Sequence, residues 1–137
     1  MQADFKNMDM FNLYAGKIFA ILAGSFPIEK SFYLSDITGV ITELDEPLSK
    51  AESLAQASIE WLRKNDYISL ERYGGDKSVH NAILTAKGLI VLNQTPSNLK
   101  ESETILTKLK KAVSISSEEA IKSVTNSILS LAVGALK

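Results

Sequence analysis

The 137-residue sequence predicts a mainly α-helical protein of the α+β class with one small β-hairpin. Three observations carry this. Apolar residues recur at three- and four-residue spacings along most of the chain, the period of an amphipathic helix. One segment, "YISLERYGGDKSVHNAIL" (67–84), interrupts that period with strand-forming residues on both sides of a Gly-Gly pair. In "ILTAKGLIVL" (83–92) the strand-like pattern then reverts to a helical one at Thr85.

The elements follow in order. Residues 9–23 place Met10, Leu13, Tyr14, Ile18, Ile21 and Leu22 on one helical stripe, with Asp9 as N-cap and Gly24 just past the end. Pro27 stops that helix, and Ile28, Phe32 and Leu34 predict a short edge strand. Ser35 is expected to cap a short helix, "DITGVITEL", with Ile37, Val40, Ile41 and Leu44 facing inward. After "DEP", Ser49 and Glu52 form the S-x-x-E capping box, in which the serine oxygen takes the N3 amide and the glutamate reaches back to the cap amide. The helix so opened runs from Lys50 to about Asn65. Ala51, Leu54, Ala55, Ser58, Trp61 and Leu62 form its inner stripe, and Glu52, Ser53, Gln56, Glu60, Arg63 and Lys64 its outer face.

In the hairpin, Gly74 and Gly75 are expected to supply the positive φ angles of the turn. Ile83 and Leu84 finish the second strand, and Thr85 caps the next helix by accepting an otherwise unpaired first-turn amide. Gly88 removes a side chain where that helix presses on the core. Leu89, Val91 and Leu92 continue inward, and Pro96 closes the segment. Two more helical patterns follow. One carries Ile105, Leu106, Leu109, Ala112 and Val113; the other opens with a second capping box, Ser116 and Glu119, and stripes Ile121, Val124, Ile128, Leu131 and Ala135.

Composition narrows the functional classes. The hydrophobic content of 45% is ordinary for a chain with a real core. There is no cysteine, which removes disulfides, thiolate metal sites and a cysteine nucleophile. Asp4 and Asp9 stand where a signal peptide has its basic region, and no run reaches the roughly 18 apolar residues of a spanning helix, so the expected home is the cytoplasm, with no membrane partner.

Helix, short strand, helix, helix, strand, glycine turn, strand, helix is the order of a winged helix-turn-helix, here followed by C-terminal helices. "IEWLRKNDYI" (59–68) resembles the end of the third helix and the start of the wing in MarR-like and PadR-like regulators. "AILTAKG" (82–88) resembles the second wing strand and the L-T-x-x-G that opens the next helix there. Asp66 stands where those families usually have glycine, but aspartate tolerates left-handed backbone moderately well. On this basis residues 1–96 form a winged-helix domain, and 97–137 a helical extension for packing or dimerisation. The resemblance implies a homodimer formed through terminal helices, with Ile121, Val124, Ile128 and Leu131 as the candidate contact stripe.

The winged-helix order makes a DNA-binding transcriptional regulator the first functional expectation. The third helix of such proteins reads bases in the major groove. The candidates are Ser49, Lys50, Ser53 and Gln56 on the helix, with Arg72, Lys77 and His80 on the wing. Charge weighs against this. Residues 34–65 hold Lys50, Arg63 and Lys64 against Asp36, Glu43, Asp45, Glu46, Glu52 and Glu60, on the surface that should face phosphates. The alternative is a winged helix that binds a protein partner instead of DNA, as in an immunity protein, antitoxin or assembly factor. An enzyme is not expected. His80 is the one histidine, a Ser-His-Asp site has no motif behind it, and Gly74-Gly75 lacks the spacing of a phosphate loop. No metal or other cofactor is expected. "ILSLAVGAL" (128–136) is apolar on nearly every side, and such a helix must be covered by something.

Overall fold

The computed structural model describes residues 6–94 and 104–135. At its centre lies α1 (Lys6–Ser25), which buries Leu13, Tyr14, Ala15, Gly16, Ile18, Phe19 and Leu22. These residues point in most directions around the helix axis, so α1 is an internal helix more than a surface one. Asp9 lies inside its first described turn and is not the cap; its carboxylate instead accepts from Lys122 Nζ at 2.7 Å. Gly24 is likewise inside the helix and not beyond it.

The strand expected after Pro27 is β1 (Lys30–Tyr33), which forms the edge of a small antiparallel sheet. The helix expected to follow is cut short. α2 (Ser35–Thr38) has a single turn, because Gly39 adopts φ 78° and donates its amide to Ser35 O, a left-handed stop that glycine takes without a Cβ penalty. Val40, Ile41 and Leu44 therefore do not face inward: all three are exposed, Ile41 at 88%. Ser35 does not cap this turn. Leu34 occupies the cap position without a side-chain bond, and Asp36 accepts from the Tyr33 amide at 2.8 Å.

α3 (Lys50–Lys64) starts at the Ser49–Glu52 capping box, both halves of which are formed. Its buried face is Ala55, Ser58, Ile59 and Leu62. Three residues depart from the expected stripe: Glu52, expected outside, is 2% exposed; Ile59, absent from the stripe, is fully buried; and Trp61, expected inside, is 42% exposed.

The hairpin is present, with its first arm in two pieces. β2 (Ile68–Ser69) and β3 (Arg72–Tyr73) both pair antiparallel with β4 (Ser78–Leu84), through Ile68 with Leu84 and Tyr73 with Val79. The other side of β4 pairs with β1, where an extra residue at Asn81, φ 54°, shifts the register between Lys30 and Phe32. Gly74 donates to Ser78 O, leaving Gly75, Asp76 and Lys77 as the loop. The positive φ in that loop belongs to Lys77, at 65°, and to neither glycine. A three-residue hairpin loop wants its left-handed residue in this last position. Asp66 is left-handed as expected, with φ 66°.

The strand-to-helix junction matches its expectation closely. Thr85 caps α4 (Ala86–Leu92) by accepting from the Gly88 amide at 3.2 Å, and its hydroxyl donates to Asp66 O. A Cβ at Gly88 would sit 2.4 Å from the Tyr67 carbonyl oxygen. Lys87 donates to Asn65 O at 2.9 Å, and its ammonium stands 4.4 Å from the centre of the Tyr67 ring. Thr85 and Lys87 thus clamp α4 onto the turn that ends α3. Pro96 lies outside the described residues.

α5 (Ile105–Ser114) buries Ile105, Leu109 and Ala112, while Val113, expected inward, is exposed. α6 (Glu118–Ala135) is capped one residue later than expected: Ser117 Oγ accepts from the Ala120 amide, Ser116 is left-handed at φ 53°, and Glu119 pairs with Lys122. Ile121, Val124 and Ile128 are buried, with Leu131 packed against the same cluster. α6 lies along α1 and α5, and Thr125 donates to Asn12 O in α1. The candidate dimer stripe is thus covered by this chain's own helices. Ile105, Leu109, Ala112, Ile121, Val124 and Ile128 share one hydrophobic core with the residues before 94. The side chain of Ala135 lies outside the described residues.

Two glycines in helices respond oppositely to alanine. Gly88→Ala drives a methyl into the Tyr67 carbonyl and lowers stability by roughly 1–3 kcal/mol, despite the better helix propensity. Gly24→Ala meets nothing within 4 Å and raises stability by about 0.5 kcal/mol. Urea titration of both variants checks the pair of signs.

Candidate interaction surface

The α3 N-terminus, the loop before it and the hairpin tip come together around one buried carboxylate. Glu52 Oε1 accepts from the Ser49 amide at 2.8 Å, as the capping box requires. That leaves acceptor capacity on both oxygens. Thr42 Oγ1 donates to Oε2 at 2.6 Å, and Lys77 Nζ reaches Oε1 at 3.2 Å. Lys77 Nζ also donates to Thr42 Oγ1 and to Glu43 O, each at 2.7 Å. An ammonium has three hydrogens, and here all three have acceptors. The Ser49 amide, then the Thr42 hydroxyl, and then Lys77 outweigh the burial of Glu52 and hold its carboxyl at about 2, against an ordinary 4.5.

A second tie fixes the hairpin to α3. Tyr73 Oη donates to Glu60 Oε2 at 2.6 Å, and Arg63 grips the same carboxylate through two nitrogens, at 2.8 and 2.9 Å. Arg63 foremost, with Tyr73, brings the Glu60 carboxyl down to about 2. Burial, foremost, and the Glu60 charge push the Tyr73 hydroxyl well above its usual value.

The residues expected to meet DNA are placed as follows. Ser49 is engaged in the cap, while Lys50 and Ser53 are exposed on α3. Gln56 lines a cleft of about 270 Å³ between the loop, α3 and the hairpin tip, together with Leu44, Leu48 and Gly75. Arg72 is exposed on β3. Lys77 is 8% exposed and saturated by its partners, so it does not present a charge to solvent. His80 is half-buried, with Nε2 2.8 Å from Ser78 Oγ.

Ser78 also donates to Asp76 Oδ1, which foremost lowers the Asp76 carboxyl. Asp76, Ser78 and His80 thus bring together the residue types of a hydrolase triad in the wrong order. The hydroxyl lies between carboxylate and imidazole, whereas nucleophile activation needs the imidazole in the middle. Among the described residues, no cluster of three His, Asp or Glu is placed to hold a metal ion, and no helix is long and apolar enough to cross a membrane.

What sequence reasoning missed is the outer side of this region. Val40, Ile41, Leu44 and Leu48 are exposed on one loop, interleaved with the exposed acids Glu43, Asp45 and Glu46. Gly39, directly before them, was the available signal. Comparison with known proteins found no matching family model, no matching curated protein and no matching solved structure.

The depressed Glu52 carboxyl makes an acid prediction. Its folded value lies below its unfolded one, so its contribution is complete above pH 4.5 and is lost as pH falls towards 2. At neutral pH this contribution is fully present. Glu52→Gln is expected to lower stability at pH 7 and to flatten, without abolishing, the loss between pH 4.5 and 2, because Glu60 titrates in the same window. Denaturant midpoints measured across that range check it; an unchanged slope would contradict the network.

Proposed function

We propose that the chain is a winged-helix protein that uses the loop 40–48 and the adjoining start of α3 to bind a protein partner. The winged-helix part of the reading is supported by the order of α2, α3 and hairpin, with β1 on the far side of β4. It lacks one usual feature. The turn of a helix-turn-helix is short, about three or four residues, and rigidly sets the second helix. Here residues 39–49 separate α2 from α3.

The observation that carries the protein-binding part is the exchange of roles on this face. Lys77, the cation expected to meet phosphate, is turned inward onto Glu52, while Val40, Ile41, Leu44 and Leu48 are turned outward among acids. Duplex DNA is bound chiefly through cations that neutralise phosphates, which this loop does not offer. Contiguous exposed apolar side chains with a polar rim are the mark of a protein-contact surface. The complementary partner surface is apolar and rimmed by lysine or arginine.

A second reading, a DNA-binding regulator, rests on the topology and on Lys50, Arg63, Lys64 and Arg72, which are exposed along α3 and β3. A gel-shift titration on mixed-sequence duplex separates the two. The protein-binding reading expects no shift even at low salt. A shift that weakens with salt and is lost in Lys50→Ala/Arg72→Ala would establish the second. In the positive arm, Ile41→Asp/Leu44→Ser is expected to keep the melting temperature and to lose a partner that wild type retains on co-purification from its native cells.

A further inference from the structure

A cavity of about 450 Å³ opens between α1, α3 and α6, along the Leu54–Trp61 stretch of α3. Its walls are Phe11, Leu54, Ala57, Trp61 and Leu129, with Met8 at the mouth. The indole is held from two directions. The Phe11 ring meets it edge-on at 5.3 Å and 77°, and the Tyr67 ring stacks against it at 6.1 Å and 19°. Trp61 is therefore a fixed wall, which explains why so large an apolar side chain stays 42% exposed.

Among the described residues, no charged side chain lines this space. A charged ligand would give up its hydration here without a partner, which is costly. The polar groups are the carboxamides of Asn7, Asn12 and Asn126 and the Ser58 hydroxyl. Ser58 already donates to Leu54 O, whereas the three carboxamides make no hydrogen bond among the described residues. Each carries both donor and acceptor. Sites for small organic molecules are concave, about 300–1,000 Å³, mostly apolar and supplied with a few polar groups, all of which holds here.

We propose that this cavity binds an uncharged, largely apolar small molecule, flat enough to lie along Trp61 and carrying a hydrogen-bonding group towards the asparagines. The proposal uses none of the residues of the loop surface and stands or falls independently of it.

The chain has a single tryptophan, so its one indole N–H resonance reports on the cavity wall. Naphthalene-2-carboxamide and naphthalene-2-carboxylate share a ring system and differ in charge. Titrated into the ¹⁵N-labelled full chain, the amide is expected to shift the Trp61 indole and Phe11 amide resonances saturably, and the carboxylate to bind about ten-fold more weakly. Ala57 is exposed, and Ala57→Phe fills the cavity from outside the core; this variant is expected to lose the shifts while keeping its melting temperature. If it does not fold, the exposed Asn126→Leu is the second test, with weaker binding of the amide expected. Three results would overturn the proposal: no shift at millimolar amide, equal shifts from amide and carboxylate, or a dimer in light scattering that Ala57→Phe converts to monomer.

Discussion

The arrangement of this protein's face depends on where the charge of Glu52 goes. The capping box needs that side chain folded back onto the Ser49 amide, which carries a carboxylate into the space between α3 and the hairpin. A carboxylate 2% exposed is tolerable only if paired and hydrogen-bonded. Lys77 supplies the pair and Thr42 the additional hydrogen bond. Lys77 sits at the left-handed position of the hairpin loop, which costs roughly 1–2 kcal/mol for a residue other than glycine. The three acceptors around its ammonium offset that strain. In the same act the Thr42 side chain and the Glu43 carbonyl are drawn inward, while Val40, Ile41 and Leu44 face solvent. The inward-turned Lys77 and the outward-facing apolar residues that follow the Gly39 stop thus meet at one buried ion pair.

Behind that face, rigidity comes from α1 and the junction after β4. α1 is enclosed by α3, α5, α6 and the sheet, so the C-terminal helices complete the core of the chain that precedes them. The Thr85–Gly88 junction fixes α4 to the end of α3 through Tyr67, whose ring in turn backs Trp61. The loop surface and the aromatic wall of the cavity are therefore mounted on opposite ends of one well-anchored helix.

Legibility in the sequence followed distance along the chain. Ser49 with Glu52, Thr85 with Gly88 and the left-handed Asp66 are signals spanning four residues or fewer, and each is found in place. Adjacent serines blurred one such signal: Ser116 and Ser117 both fit a cap, and the chain uses the second. Gly39 was misread because a helical apolar spacing continues past it, although its left-handed backbone ends the helix. The Glu52–Lys77 pair was invisible, because no local pattern relates a helix-start acid to a lysine in a turn beyond the helix. Of the apolar tail, Ile128 and Leu131 pack into the core, and the side chains from 132 onward lie outside the described residues. Periodicity shows that a stripe must be buried, but not that α1 of the same chain would bury it. The exposed position of Trp61 was not legible for the same reason: helical spacing assigns a face, and only packing shows that a cavity opens beside the indole where it meets Phe11 of α1.

The central claim is that Glu52 and Lys77 act as one unit. A double-mutant cycle with Glu52→Gln and Lys77→Met, read by urea unfolding at neutral pH and low salt, tests it most directly. The coupled network predicts that the double variant loses less than the two single losses combined, with an interaction energy of about 1–3 kcal/mol. Losses additive within about 0.5 kcal/mol would show that the two residues are independent, and that the inward turn of Lys77 does not shape this surface.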